Sequence, residues 1–318
     1  MKKSIFSVSL LVIALIAFSC DKQEPVTPTS TSHESEAQLG KLSEKSYPAV
    51  LALMHNINNQ LAAQQLNVAV ESIEFFTIGE GRPSNRVHQQ EFRWVPNDPR
   101  RLAQGIDITY LVDQSDGATA SGLTNAQTEG AIDRAMGTWQ NEQALNKVDI
   151  VKRNDSGADP DIFDSFFGFG GFGDPFLADI VNAGWLPRAF FEAVGGPGGG
   201  RGILAFSVTF IFTDDAGNPT DVNGDNRLDT ALNEVYYNDN FGNPNGDRAG
   251  NPWGINVVLP AIDVETVALH ENGHSLGLGH FGPPPDAVLN PIYAGIRQSP
   301  LSPDQAGMDA VWASWPNP

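Results

Sequence analysis

The residues best suited to chemistry lie in one eleven-residue run, His270-Glu271-Asn272-Gly273-His274-Ser275-Leu276-Gly277-Leu278-Gly279-His280. His270 and His274 are four apart, so on a helix their imidazoles share one face a turn apart and can reach a single metal ion. Glu271 stands beside the first of them, where its carboxylate could take a proton from a water at the metal. Gly277 can adopt a left-handed backbone, stop the helix and let the chain turn back. His280 is then in place to act as a third ligand. Three protein ligands leave one position open, the arrangement of a catalytic rather than a structural zinc site. Half of the chain's six histidines fall in this run, the others being His33, His55 and His88.

Positioning such a site needs a helix held by a core. The pattern around the run predicts a helix near Val264 to Leu276, with Val257 to Leu259 leading into it. Upstream, Tyr47 to Leu66 has apolar residues at helical spacing, and Thr124-Asn125-Ala126-Gln127 has capping-box spacing before the apolar positions Ile132, Ala135, Met136 and Trp139. Ser302-Pro303-Asp304-Gln305 repeats that spacing ahead of a last helix. Strands are expected at Ile73 to Ile78, Ile106 to Val112, Val148 to Val151, Ile203 to Phe212 and Asn233 to Tyr237, from β-branched and aromatic content. The order strand, helix, several strands, helix, helix predicts an α+β domain with helices packed on one sheet. The Gly- and Phe-rich stretch Phe166 to Phe176 reads as a loop insertion with no chemistry assigned to it.

The chain has 318 residues and a net charge of −19, with a pI near 4.5. A surface this acidic repels phosphate backbones and argues against nucleic acid as a partner. Lys2, Lys3 and the apolar run Ile5 to Phe18 have the form of an export signal, too short to span a bilayer comfortably. The run ends at Ala17-Phe18-Ser19-Cys20, which resembles a bacterial lipoprotein signal (residues 1–20), with Cys20 as the lipidated residue and a membrane anchor. Cys20 is the chain's single cysteine, which excludes an intrachain disulfide. Residues 21–36, rich in Thr, Ser, Pro and Glu, read as a disordered tether. Residues 37–103 are expected to form a small N-terminal module, a candidate pro-segment, and 104–318 the main domain. The whole is expected to be exported, anchored at the cell envelope or secreted, and monomeric.

A second metal is suggested by Asp221-Val222-Asn223-Gly224-Asp225-Asn226-Arg227-Leu228-Asp229. Asp221, Asn223, Asp225 and Asp229 stand at positions 1, 3, 5 and 9 of a calcium loop, with the Arg227 carbonyl at position 7. The match is partial, because Leu232 stands where a bidentate Glu belongs and Asn226 where Gly belongs.

The histidine run resembles that of the metzincin zinc peptidases, and its surroundings resemble the matrixin (matrix-metalloproteinase-like) branch. Val267-Ala268-Leu269 precedes the run as in that family. Val288-Leu289-Asn290-Pro291-Ile292-Tyr293 is similar to its Met-turn, and Leu301 to Gly307 to the start of its final helix. Ile108-Thr109-Tyr110 and Ile132 to Trp139 are similar to its first strand and helix. The resemblance implies a twisted, mostly parallel sheet with an antiparallel edge strand, an active-site helix and a C-terminal helix. It implies a zinc-dependent endopeptidase in which His270, His274 and His280 hold zinc and Glu271 is the general base for a metal-activated water. It also implies that a protein or peptide substrate lies antiparallel to an edge strand at Gly202, Ile203, Leu204 and Ala205, with Pro291 and Tyr293 walling a pocket. Three features depart from the family: Leu289 replaces the Met of the Met-turn, no histidines remain for a second zinc, and the inhibitory cysteine is absent. A zinc hydrolase of non-protein amides or esters, and a non-enzymatic surface protein stabilised by zinc, are the competing readings.

Overall fold

The computed structural model describes residues 48–78, 91–173 and 176–317. The signal-like segment, Cys20 and the 21–36 tether lie outside the described residues. Those described fall in one compact unit, Leu42–Pro318.

The order is α1 (Pro48–Ala63), β1 (Val68–Thr77), β2 (Phe92–Arg93), β3 (Ile108–Val112), α2 (Asn125–Gln140), β4 (Ile150–Lys152), β5 (Ile180–Leu186), α3 (Arg188–Gly195), the single turn α4 (Gly199–Gly202), β6 (Ile203–Phe212), β7 (Leu228–Asn238), β8 (Trp253–Gly254), β9 (Ile262–Asp263), α5 (Val264–Ser275) and α6 (Ser302–Trp312). One sheet runs β1-β6-β7-β5-β3-β4, with β2 paired to β7, and β8 and β9 form a separate pair. The β7-β5-β3-β4 stretch is parallel, whereas β6 and β1 are antiparallel to their neighbours. This is the α+β architecture expected.

Each face of the sheet buries its own core. One face packs α2, α5 and α6 through Ile132, Met136, Trp139, Val267, Leu269 and Trp312. The other packs α1 and α3 through Met54, Ile57, Leu61, Phe190, Phe206 and Tyr236. In α2 the buried residues Ala131, Ile132, Ala135, Met136 and Trp139 recur at helical spacing, and the Thr124 N–H donates to Gln127 Oε1 at 3.0 Å. The last helix is capped one residue earlier than its sequence suggests. Leu301 is the N-cap, and its N–H donates to Asp304 Oδ2 at 2.8 Å.

The expected border at 103/104 does not divide the packing. β1 pairs with β6 along nearly its whole length, and Trp94 and Arg101 are buried in the main body. Nine residues of β1 paired with β6 make that N-terminal stretch part of the sheet. β5 had no counterpart in the sequence reading. Asn182 and Gly184 interrupt its apolar pattern at a bulge, where Gly184 has φ +107° and a Cβ would lie 2.5 Å from the Asp116 carbonyl oxygen.

Candidate metal centre

All twelve residues of α5 are buried. Asp263 caps the helix, its Oδ2 accepting from the N–H and the hydroxyl of Thr266 at 2.9 and 2.7 Å. Three indoles hold backbone carbonyls in and just after the helix. Trp139 Nε1 donates to Leu269 O at 2.9 Å, Trp94 to Ser275 O at 3.1 Å and Trp312 to Leu276 O at 2.8 Å. The helix stops as the glycine predicts. Gly277 has φ +91°, and the Leu278 N–H donates to Gly273 O at 3.0 Å.

The turn brings His280 back to His270 and His274. Their three Nε2 atoms lie 3.1, 3.2 and 3.2 Å apart. Nδ1 of His270 is 2.7 Å from Val288 O, and Nδ1 of His274 is 2.7 Å from Leu278 O. A carbonyl can only accept, so both Nδ1 atoms carry the proton and both Nε2 atoms present lone pairs. Burial, reinforced by the neighbouring imidazoles, holds His270 well below its ordinary pKa and His274 down to about 3. Neutral imidazoles with lone pairs converging at such distances repel one another unless a cation sits between them. The donor set therefore fits one zinc ion.

Glu271 is fully buried, and neither carboxylate oxygen has a hydrogen-bond partner. Burial, and next the charge of Glu74, pushes its pKa well up. Ser207 works in the opposite direction. Below the histidines, Leu289 occupies the Met-turn position fully buried, 3.0 Å from where a Cβ on Gly273 would stand. The N–H groups of Val288 and Leu289 donate to the Asp304 carboxylate at 2.8 and 3.2 Å, which fastens this turn to the start of α6.

β1 covers the site. Its register shifts between Val70 and Ser72, where the Asn58 side chain takes both the N–H and the carbonyl of Val70. The shift exchanges faces: Val68 and Val70 lie in the outer core, and beyond the bulge Ile73 and Phe75 do. Ser72, Glu74 and Phe76 consequently face the histidines. Phe76 stacks on His270, and Glu74 Oε2 lies 3.0 Å from His280 Nδ1. At the end of β1, Ile78 N–H donates to Gly202 O at 2.9 Å and Thr77 pairs opposite Ile203. On its other side Thr77 N–H donates to Pro291 O at 3.1 Å, and Tyr293 N–H to Thr77 O at 2.8 Å. The edge expected to be free at Gly202, Ile203, Leu204 and Ala205 is thus already paired. Tyr293 is buried, and its hydroxyl accepts from Asp263 N–H at 3.0 Å.

A sequence model of one family, Matrixin, matches residues 101–313. The chain belongs to the matrixin family. It is also similar to Metalloendoproteinase 2-MMP of Arabidopsis thaliana, 28% identical over 230 residues. That match covers 72% of this chain and 47% of the relative, so the chain spans about half the length of the curated relative it matches. Membership supports a zinc metallopeptidase in general.

The matrixin fold does not gather the Asp221–Asp229 loop into a metal-ligating group among the described residues. Asp221 accepts from the N–H groups of Gly224, Asp225 and Asn226. Asp225 accepts from Arg227 N–H, and Asn223 turns its amide to Asp225. Asp229 is taken by Arg100 at 2.8 Å and by the Thr220 hydroxyl at 2.6 Å. These bonds are those of a polar turn rich in Asp, Asn and Gly. Residues that sequence reasoning missed include Glu74, Phe76, Asp304 and the three tryptophans. They act on α5, its histidines or, for Asp304, the turn at Val288 and Leu289, from elements distant in sequence.

Proposed function

We propose that the protein is an endopeptidase whose zinc is held by His270, His274 and His280 and whose general base is Glu271. The observation that carries this reading is the convergence of three imidazole Nε2 atoms within 3.2 Å of one another beside a buried, unpartnered carboxylate. When bound, zinc supplies Lewis acidity that polarises a water and the scissile carbonyl. Glu271 accepts the water's proton and delivers it to the leaving amine, a task to which a carboxylate of raised pKa is suited. Leu278 O and Val288 O fix the tautomers of His274 and His270.

In this reading the substrate backbone takes the place β1 holds in the closed form. Thr77 sits between Ile203 and the Pro291–Tyr293 segment, antiparallel to β6 and parallel to Ile292. A peptide bound by strand addition would use the same groups, Gly202 O, Pro291 O and Tyr293 N–H. The end of β1 must therefore leave before cleavage begins.

The test is Glu271→Gln in zinc-loaded protein, assayed on a casein or peptide-library substrate. Zinc content should be unchanged and turnover should fall by about 10²- to 10⁴-fold. Turnover near the wild-type rate would overturn the assignment of the base. Chelator-sensitive turnover of esters but of no peptide would move the reading to a non-peptide hydrolase.

A further inference from the structure

Across the sheet from the histidines, the Gly- and Phe-rich insertion gathers carboxylates. Ligand oxygens of Asp159, Asp161 and Asp164 all lie within 4.8 Å of one another, as do those of Asp113, Asp116 and Asp159. Asp164 is fully buried, and neither of its carboxylate oxygens has a hydrogen-bond donor. Asp161 is 1% exposed with Oδ1 unpartnered, and Oδ1 of Asp159 and Oδ2 of Asp113 are unpartnered as well. What these oxygens face is each other. Among the described residues no Lys, Arg or His forms an ion pair with any of the five.

Buried like charges without donors are costly, and a cluster of this kind persists by binding either protons or a cation. The donor set is all hard oxygen, with no imidazole or thiolate, which disfavours zinc. Magnesium keeps several waters in a strict octahedral shell, for which carboxylates as buried as Asp161 and Asp164 leave little surface. Calcium accepts six to eight oxygens in a flexible geometry and suits carboxylates from separate segments. The surrounding backbone has already closed on the cluster. Gly171 N–H donates to Asp159 Oδ2 at 2.7 Å, and a Cβ on Gly171 would fall 2.2 Å from Asp164 Oδ1. Glu234 on β7 anchors the same segment by accepting from the N–H groups of Ile162 and Phe163 at 2.6 and 3.0 Å.

We propose that Asp159, Asp161 and Asp164, with Asp113 and Asp116 alongside, form a calcium site that pins the 158–173 insertion to the outer face of the sheet. The assignment is independent of the peptidase reading, since no residue of the histidine centre takes part.

The experiment is calorimetric titration of the zinc-loaded full chain with calcium chloride, together with thermal melts. Saturable binding is expected, with Kd on the order of 1 mM or tighter. At calcium 100-fold above Kd, Tm should rise on the order of 5 °C. The double variant Asp161→Asn/Asp164→Asn should lose at least about tenfold in calcium affinity. Asp221→Ala/Asp225→Ala should keep it, which separates this site from the polar turn. Wild-type protein that shows no saturable response up to about 10 mM calcium holds protons there instead, and the proposal fails. It fails too if the Asp221/Asp225 variant, and not the Asp161/Asp164 variant, abolishes binding. Terbium luminescence sensitised through Tyr236, whose hydroxyl is 3.3 Å from the Asp164 N–H, reads wild-type occupancy with no variant needed. Terbium that calcium does not displace would count against the site.

Discussion

The ring of Phe76 lies flat on the imidazole of His270, with centroids 3.8 Å apart and planes 8° from parallel. A residue of the N-terminal strand thus shields a residue proposed to bind metal. Glu271 is fully buried in the same structure, so in the proposed reading a substrate and the end of β1 compete for one edge.

Thr77→Pro tests that competition. It removes both the N–H and the hydroxyl that donate to Pro291 O, and it changes no residue of the histidine centre. Each such bond is worth about 0.5–1.5 kcal/mol, so with both lost the open population, and with it the initial rate on a quenched fluorescent peptide, should rise about 5- to 150-fold. An unchanged or lower rate in folded, zinc-loaded protein would show that β1 does not obstruct the substrate.

Leu289 fills the Met-turn position by volume, not by any property of sulfur. It packs on Gly273, where an added Cβ would lie 3.0 Å from its Cδ2. Leu289→Met should cost less than about 1.5 kcal/mol and keep zinc and turnover. Leu289→Ala should cost about 2–5 kcal/mol and loosen the turn that carries Val288 O, the partner of His270 Nδ1. Chemical denaturation and zinc retention during dialysis measure both effects. A Met variant that is greatly more active than the parent would mean that the thioether matters.

The histidine run, the position of Glu271 beside it, the helix stop at Gly277 and the bounds of β6 were all legible in the sequence, because each depends on local spacing or local apolar content. What was illegible is non-local. Nothing near Glu74 or Phe76 in the chain marks them as neighbours of His280 and His270. Only the bulge after Val70 turns them to that face. The Asp221 to Asp229 loop is a related case. Asp221 to Asp229 has the right letters in a row, yet their oxygens are used by the turn's own N–H groups and by Arg100. Asp113 and Asp164, 51 positions apart by their numbering, join one cluster only through the fold.

The acidic cluster also sets a pH dependence. Burial, with nearby carboxylates adding to it, raises Asp113 and Asp116 to about 6 from an ordinary 3.8. Asp113 faces Ser115, Asp155 and Asp159, and Asp116 faces Asp159 and Asp239. Between those pH values the folded chain binds protons that the unfolded chain has released, so stability falls as pH rises through the window. Calcium-free protein should therefore lose Tm from about pH 4 to about pH 6 from these groups, and saturating calcium should flatten the slope. Melts across that range, with and without calcium, measure it. Identical slopes would separate these two carboxylates from the ion.

Arg101 and Asp179 form a buried pair that ties the segment before β3 to the start of β5. Arg101 Nε and Nη2 donate to the two oxygens of Asp179 at 2.9 Å each, and Nη1 and Nη2 reach Val95 O and Asp107 O at 3.1 and 2.6 Å. Asp179 also accepts from the N–H and hydroxyl of Thr109 at 2.7 and 2.8 Å. Arg101→Met leaves a carboxylate inside the protein without its cation, which costs about 3–5 kcal/mol. For a domain of this size that is a fall in Tm of roughly 6–15 °C. Arg101→Met/Asp179→Leu removes both charges and should recover much of the loss, because the larger penalty comes from the stranded charge and not from the missing contact. A double variant no more stable than Arg101→Met alone would assign the energy to packing of the arginine stem and its carbonyl bonds instead.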